Sequence, residues 1–181
     1  MSYDISKETA AYVNVPKTDI AKAKADGAKL VIVVFSRATT DSEANAVDSI
    51  MTKSGRSAID NGADLVVNYS QSVIQAVDVY KDHYIVYSPA VLFASTDKHP
   101  LDNSHSFIFQ QSFTLKDGAV VPSKLSVTPV DNGTLSGTAP KLLLDASADA
   151  VIDEIAKFSG NNKYTKYGIA RSAIDYICIK K

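Results

Sequence analysis

The run LVIVVF at 30–35 constrains this chain more than any other feature. Six consecutive apolar residues, three of them valine, offer water no polar face, so the segment reads as a strand covered on both sides. Such a strand lies inside a sheet, and helices or a second sheet must cover each face of that sheet. A helix is legible after it. Thr40 and Glu43 have capping-box spacing, Ala44, Val47, Ile50 and Met51 form one apolar stripe, and Gly55 falls where a left-handed C-cap would end it. A helix over 41–54, packed on the sheet that contains 30–35, is the expectation. Before the strand, 18–26 is an alanine- and lysine-rich helix candidate with Gly27 placed to stop it, and 1–17 reads as a lead-in arm.

Residues 65–69 read as a second strand. In 72–80, Ser72 and Gln75 again match a capping box and Val73, Ile74, Val77 and Tyr80 share a helical face, which predicts a helix, although crowded valines favour a strand. From 83 onward the pattern is β. Pro89 interrupts 83–95, whereas 106–115 alternates, with Phe107, Phe109, Phe113 and Leu115 on one face and Gln110, Ser112 and Thr114 on the other. Asp117-Gly118 turns that strand into a hairpin. The stretch 131–140, DNGTLSGTAP, is linker-like. Ala148, Val151, Ile152, Ile155 and Phe158 then mark a helix over 148–158 that Gly160 ends, followed by a further helix over 164–173 and a terminal strand over 176–179. The expected class is α+β: a mixed sheet with a buried central strand near 30–35, helices near 41–54 and 148–158, and a β-rich middle at 83–130. One globular domain spans 1–181.

Composition bounds the function. A net charge of −1 gives no whole-chain attraction to nucleic acid or an anionic membrane. No apolar run approaches the length that spans a bilayer, and MSYDISKETAAYV has neither the basic nor the apolar region of a secretory signal, so no membrane partner and a cytoplasmic location are expected. Cys178 stands alone between Ile177 and Ile179 and reads as a small buried hydrophobe, which leaves no intrachain disulfide and no thiolate zinc cluster. The glycosylation sequons at Asn68 and Asn132 read as chance matches. With three arginines, three histidines and one cysteine, and no Walker A, G-x-G-x-x-G, G-x-S-x-G, H-E-x-x-H or C-x-x-C, the chain leans away from an enzyme and from any cofactor.

Three places could carry chemistry. His99, Asp102 and His105 are adequate ligand types for zinc or a similar ion, but their spacing matches no regular site and a polar turn explains them as well. Ser36, Arg37, Thr39 and Thr40 follow the central strand, where open α/β sheets bind anions; the loop lacks a glycine, and helix capping is the plainer role. Near the C terminus, Asp145, Asp149, Asp153 and Glu154 precede a basic stretch that includes Lys157, Lys163, Lys166 and Arg171. Tyr164, Tyr167 and Tyr176 are interleaved with it. Opposed charges suit contact between protein chains, copies of this one included, while basic residues among aromatics suit single-stranded nucleic acid. A solvated face is the commonest meaning of such runs.

The order strand, helix, strand, helix and two long strands over 30–115 resembles the Alba-like nucleic-acid-binding fold. That resemblance implies a basic loop after the first strand, represented here by Arg37. The functional expectation is a non-enzymatic assembly or protein-interaction subunit, such as a component of a viral or other particle. The alternatives are a nucleic-acid-binding accessory protein and a small metal- or anion-dependent enzyme.

Overall fold

The computed structural model describes residues 1–5, 16–37, 45–69, 72–92, 105–133, 139–160, 164–166 and 177–179. In chain order the elements are β1 (Ser2–Asp4), α1 (Pro16–Ala25), β2 (Ile32–Ser36), α2 (Ser49–Asp60), β3 (Leu65–Asn68), β4 (Val77–Tyr80), β5 (His83–Val86), β6 (His105–Lys116), β7 (Ala119–Asp131), β8 (Lys141–Leu142), α3 (Asp145–Phe158), β9 (Tyr164–Lys166) and β10 (Ile177–Ile179). The class is α+β.

The first sheet has the order β1-β2-β3-β5-β4. Its first four strands run parallel, and β4 closes the far edge antiparallel to β5. Val33, Val66 and Ile85 are register partners across three strands and are 0% exposed. They pack on Ile20 of α1 and on Met51, Ala58 and Ile59 of α2. Leu65, Val67, Tyr84 and Val86 point to the other face, where they meet Phe107, Leu125 and Val127 of the second sheet and Val151, Ile152 and Ile155 of α3. The sheet is thus covered on both sides at β3 and β5, but along 30–35 burial alternates, contrary to the expectation of a doubly covered strand: Leu30 is exposed, Ile32 and Val34 are half-buried, and Val31, Val33 and Phe35 are buried. Each such side chain contributes about 1.5–3 kcal/mol by leaving water.

Helix α2 starts later than the stripe at 41–54 suggests. Asp48 is its N-cap, with the carboxylate accepting the Met51 N–H at 2.7 Å from extended backbone. Thr40 and Glu43 lie outside the described residues. Gly55, expected at the C-cap, sits inside the helix because a Cβ there would stand 3.1 Å from Ile85 Cγ2. It lets helix and sheet approach closely, and the chain turns out at Asn61 and Gly62, whose φ is +101°.

The helix expected over 72–80 is absent. Its β-branched residues form strand instead: Val77–Tyr80 pairs with β5 through a turn at Lys81 and Asp82, both at positive φ. The ladder continues past the strands, since Gln75 N–H donates to Ser88 O, Tyr87 N–H donates to Ala76 O, and Ile74 bridges Pro89. With this strand in place of a helix, the Alba-like element order does not hold.

The second sheet is antiparallel, ordered β6-β7-β10-β9, with β8 on β7. Asp117 and Gly118 at positive φ close the long β6–β7 hairpin, and its register shifts between Gln111 and Phe113, opposite Pro122, which has no N–H to give a ladder. Of the linker-like 131–140, Asp131 pairs with Lys141, and Asn132 is buried with its side-chain amide donating to Val91 O. Residues 164–166 are strand rather than the start of a helix, and β10 occupies the expected terminal strand. Residue 1–17 is not a plain arm either: Ser2–Asp4 adds a parallel edge strand to β2.

Candidate functional site

Open α/β sheets bind ligands beyond the C-terminal ends of their parallel strands. Here Asp4, Ser36, Arg37, Asn68 and Tyr69 form that rim. Asn68 is 1% exposed, and its side-chain amide brackets one peptide: Oδ1 accepts the Arg37 N–H at 2.9 Å and Nδ2 donates to Arg37 O at 2.8 Å. A side chain so buried leaves no room for a glycan, which removes the sequon at Asn68. The Arg37 guanidinium donates through Nε to Asp48 Oδ2 at 2.6 Å and through Nη1 to Ile5 O at 2.8 Å. Asp48 meanwhile caps α2.

Arg37 thus ties the ends of β1, β2 and β3 to the helix cap, and Asp48 offsets its charge. Among the anion-site candidates, Arg37 therefore serves as a brace. Ser36 adds a backbone contact, its carbonyl accepting the Ile5 N–H at 3.0 Å. Thr39 and Thr40 lie outside the described residues. Two further amides stiffen the rim, with Asn45 Nδ2 donating to Ile74 O and Gln75 Nε2 donating to Ala46 O. Tyr69, which the sequence reading placed in a strand without a role, stands beside this framework 54% exposed.

A separate recess of 640 Å³ is lined on one side by Asn45, Ala46 and Val47. Its other walls come from α2, β4 and the end of α3, with Arg56, Asp78, Tyr87, Lys157 and Phe158 among them. Arg56 Nη2 donates to Asp78 Oδ2 at 2.9 Å, its guanidinium lies 5.2 Å from the Tyr80 ring centroid, and the bond to Asp78 holds its proton more firmly. Tyr87 is 2% exposed. Its hydroxyl finds no partner of hydrogen-bonding geometry, although Thr52 and Asp78 stand near it, and burial raises its pKa.

Of the proposed metal ligands, His105 alone is among the described residues. His105 Nδ1 lies 2.9 Å from Glu154 Oε2, an ion pair between β6 and α3, while His99 and Asp102 fall outside the described residues. No group of three or more His, Cys, Asp or Glu able to hold a metal occurs among the described residues. Of the acidic set, Asp145 opens α3, Asp149 and Asp153 are exposed, and Glu154 is half-buried against His105. Lys166 lies in β9, and Lys163 and Arg171 are outside the described residues.

The pair gives a pH signature. The hydrogen bond to Glu154 raises the His105 pKa, and partial burial opposes it. A raised folded-state pKa stabilises fully below the unfolded value and is lost as pH rises through the folded one. The stability deficit of Glu154→Gln should therefore be largest near about pH 6 and shrink toward about pH 9, as the imidazolium loses its proton. Urea melts of both proteins across that range measure it, and a deficit independent of pH contradicts the pair.

These elements define an α/β unit: a mostly parallel sheet, helices on one face, and a braced polar rim at the strand ends. Residues 3–89, a little under half of the chain, match the family described as "Bacterial capsule synthesis protein PGA_cap". The matched span runs from within β1 past β5 and takes in all of the first sheet but Ser2, with α1 and α2. No curated protein matches the chain at a significant level.

The match corrects the functional expectation. It points to bacterial capsule synthesis, not to a self-assembling structural subunit or virion component, and not to a nucleic-acid-binding accessory protein. Those readings rested on charge blocks near the C terminus, on the scarcity of catalytic residue types and on the Alba-like element order; that order does not hold, and at least one of the acids, Glu154, is already committed within the fold.

Proposed function

We propose that this chain acts in bacterial capsule synthesis and that the rim at the ends of β1, β2, β3 and β5 meets the capsule polymer or its precursor. The observation that carries this reading is the position of the family match, which falls on the sheet that builds the rim. The rim's chemistry supports a polar polymeric ligand. The Arg37–Asn68–Asp48 brace holds the backbone at Arg37, which spares that part of the rim an ordering cost on binding. Tyr69 adds an exposed ring with a polar tip, able to stack on a flat ligand face and hydrogen-bond beside it.

The test is binding of capsular polymer isolated from the encoding organism to the purified chain, followed through backbone amide shifts. Shifts at Ser36, Arg37, Asn68 and Tyr69 are expected. Tyr69→Ala should weaken binding about tenfold, as loss of a central aromatic contact does, while its exposure keeps the melting temperature unchanged. Polymer binding that leaves the rim amides unmoved, or no binding at all, overturns the proposal.

A further inference from the structure

The second sheet ends at β6, and the outer edge of that strand is open. Phe107 turns its N–H away from β7 and donates to Pro89 O at 3.0 Å. Backbone direction repeats every second residue along a strand, so Phe109, Gln111, Phe113 and Leu115 turn their N–H and C=O groups the same way. The register shift leaves this row intact. From Gln111–Leu125 to Phe113–Pro122, β6 advances two residues and β7 three, so the extra residue belongs to β7. Beyond the bond to Pro89, the row pairs with no strand among the described residues.

Natural sheets blunt their free edges with lysine, proline or a bulge. β7, covered by β10 at 125–127 and by β8 at 130–131, has all three in the stretch before β10: Pro122, Lys124 and the extra residue. β6 has neither a proline nor a charged side chain from 106 to 115, and Leu115 is 60% exposed. Only one edge of the ribbon is defended. The open row also complements itself. With an antiparallel copy set about a two-fold axis at Phe113, the two Phe113 rings adjoin and Leu115 stands diagonal to the copy's ring. On the other face Ser112 meets Thr114 and Gln110 meets Lys116, so polar side chains face polar ones and no like charges meet. The copy's turn then ends opposite Ile108 and Phe109, clear of the Pro89 contact at Phe107.

We propose that two copies of this chain pair edge to edge through β6, antiparallel about Phe113, so that their second sheets continue as one. Backbone hydrogen bonds hold the pair, and the alternate side chains set its register. Each copy has one such edge, so the assembly closes at two chains. An extended strand from another protein would find the same backbone groups but not the matched side chains.

Sedimentation equilibrium of the full chain measures the pairing, and at roughly 200 µM the parent chain should be mostly dimeric. Ser112→Lys with Thr114→Lys sets like charges opposite each other twice across the axis, and Ser112→Glu with Thr114→Glu does the same with the other sign. Both positions are exposed, so each double variant should melt as the parent does in dilute solution and dimerise at least about tenfold more weakly. An equimolar mixture of the two should recover the dimer, because each lysine then faces a glutamate. In the parent chain itself, the Gln111 and Phe113 amides should gain protection from hydrogen exchange as concentration rises. The proposal is overturned by a parent chain that is monomeric at that concentration, by a lysine variant that dimerises like the parent, by a mixture that stays monomeric, or by a dimer that leaves those two amides unprotected.

Discussion

Val33→Asp is expected to yield no folded protein. Val33 is 0% exposed, paired through β2 to β3 and packed on α1 and α2. A carboxylate there has no water and no cation, so it is either buried charged or protonated without a partner, and either state costs several kcal/mol. A domain holds only about 5–15 kcal/mol in total, and this substitution also removes a packed side chain from the middle of the sheet. The isosteric step Val33→Thr, which adds one hydroxyl in place of a methyl, should remain folded but melt earlier. Far-UV circular dichroism on heating separates the two, and a soluble, cooperatively melting Val33→Asp would contradict the placement of β2.

Asn68→Leu is expected to cost about 2–5 kcal/mol, the second largest effect. Leucine matches asparagine roughly in size but leaves both the Arg37 N–H and the Arg37 C=O unpaired at a part-buried position. The brace should loosen as a unit, because Arg37 also carries the contacts to Ile5 and Asp48. Amide hydrogen exchange should accelerate at Arg37 and Met51 more than at Ile85 on the far side of β3. A loss below about 1 kcal/mol would mean that Asn68 does not hold the rim together.

What was legible in the sequence follows from how locally each signal acts. The run at 30–35 announced an interior strand of the sheet but overstated its cover, since Val31, Val33 and Phe35 are buried while Ile32 and Val34 are half-buried, and the stripe Ala148, Val151, Ile152 and Ile155 announced α3 because one helix face sits on the core. Asp117-Gly118 carried its own turn chemistry. Helix α2 starts at Ser49 because an aspartate cap needs only the backbone N–H three residues on, and Asp48 meets that need without the Thr-x-x-Glu pattern by which a helix start was sought. Segment 72–80 was misread for a related reason. Apolar residues at 73, 74, 77 and 80 fit a helical face, but the turn at Lys81-Asp82 lacks the glycine that signals a hairpin. The brace was half visible: Arg37 stood out as a scarce arginine after the central strand, but its partners Asn68, Asp48 and Ile5 lie 31, 11 and 32 residues away.

The capsule reading is tested most directly by the capsule itself. The gene for this chain is disrupted in the encoding organism, and capsular polymer per cell is measured in the disrupted strain, in the strain restored with the parent chain, and in one restored with Tyr69→Ala. The account predicts a marked loss on disruption, recovery with the parent chain and incomplete recovery with Tyr69→Ala at equal protein level. Capsular polymer that is unchanged in amount and length after disruption would contradict it.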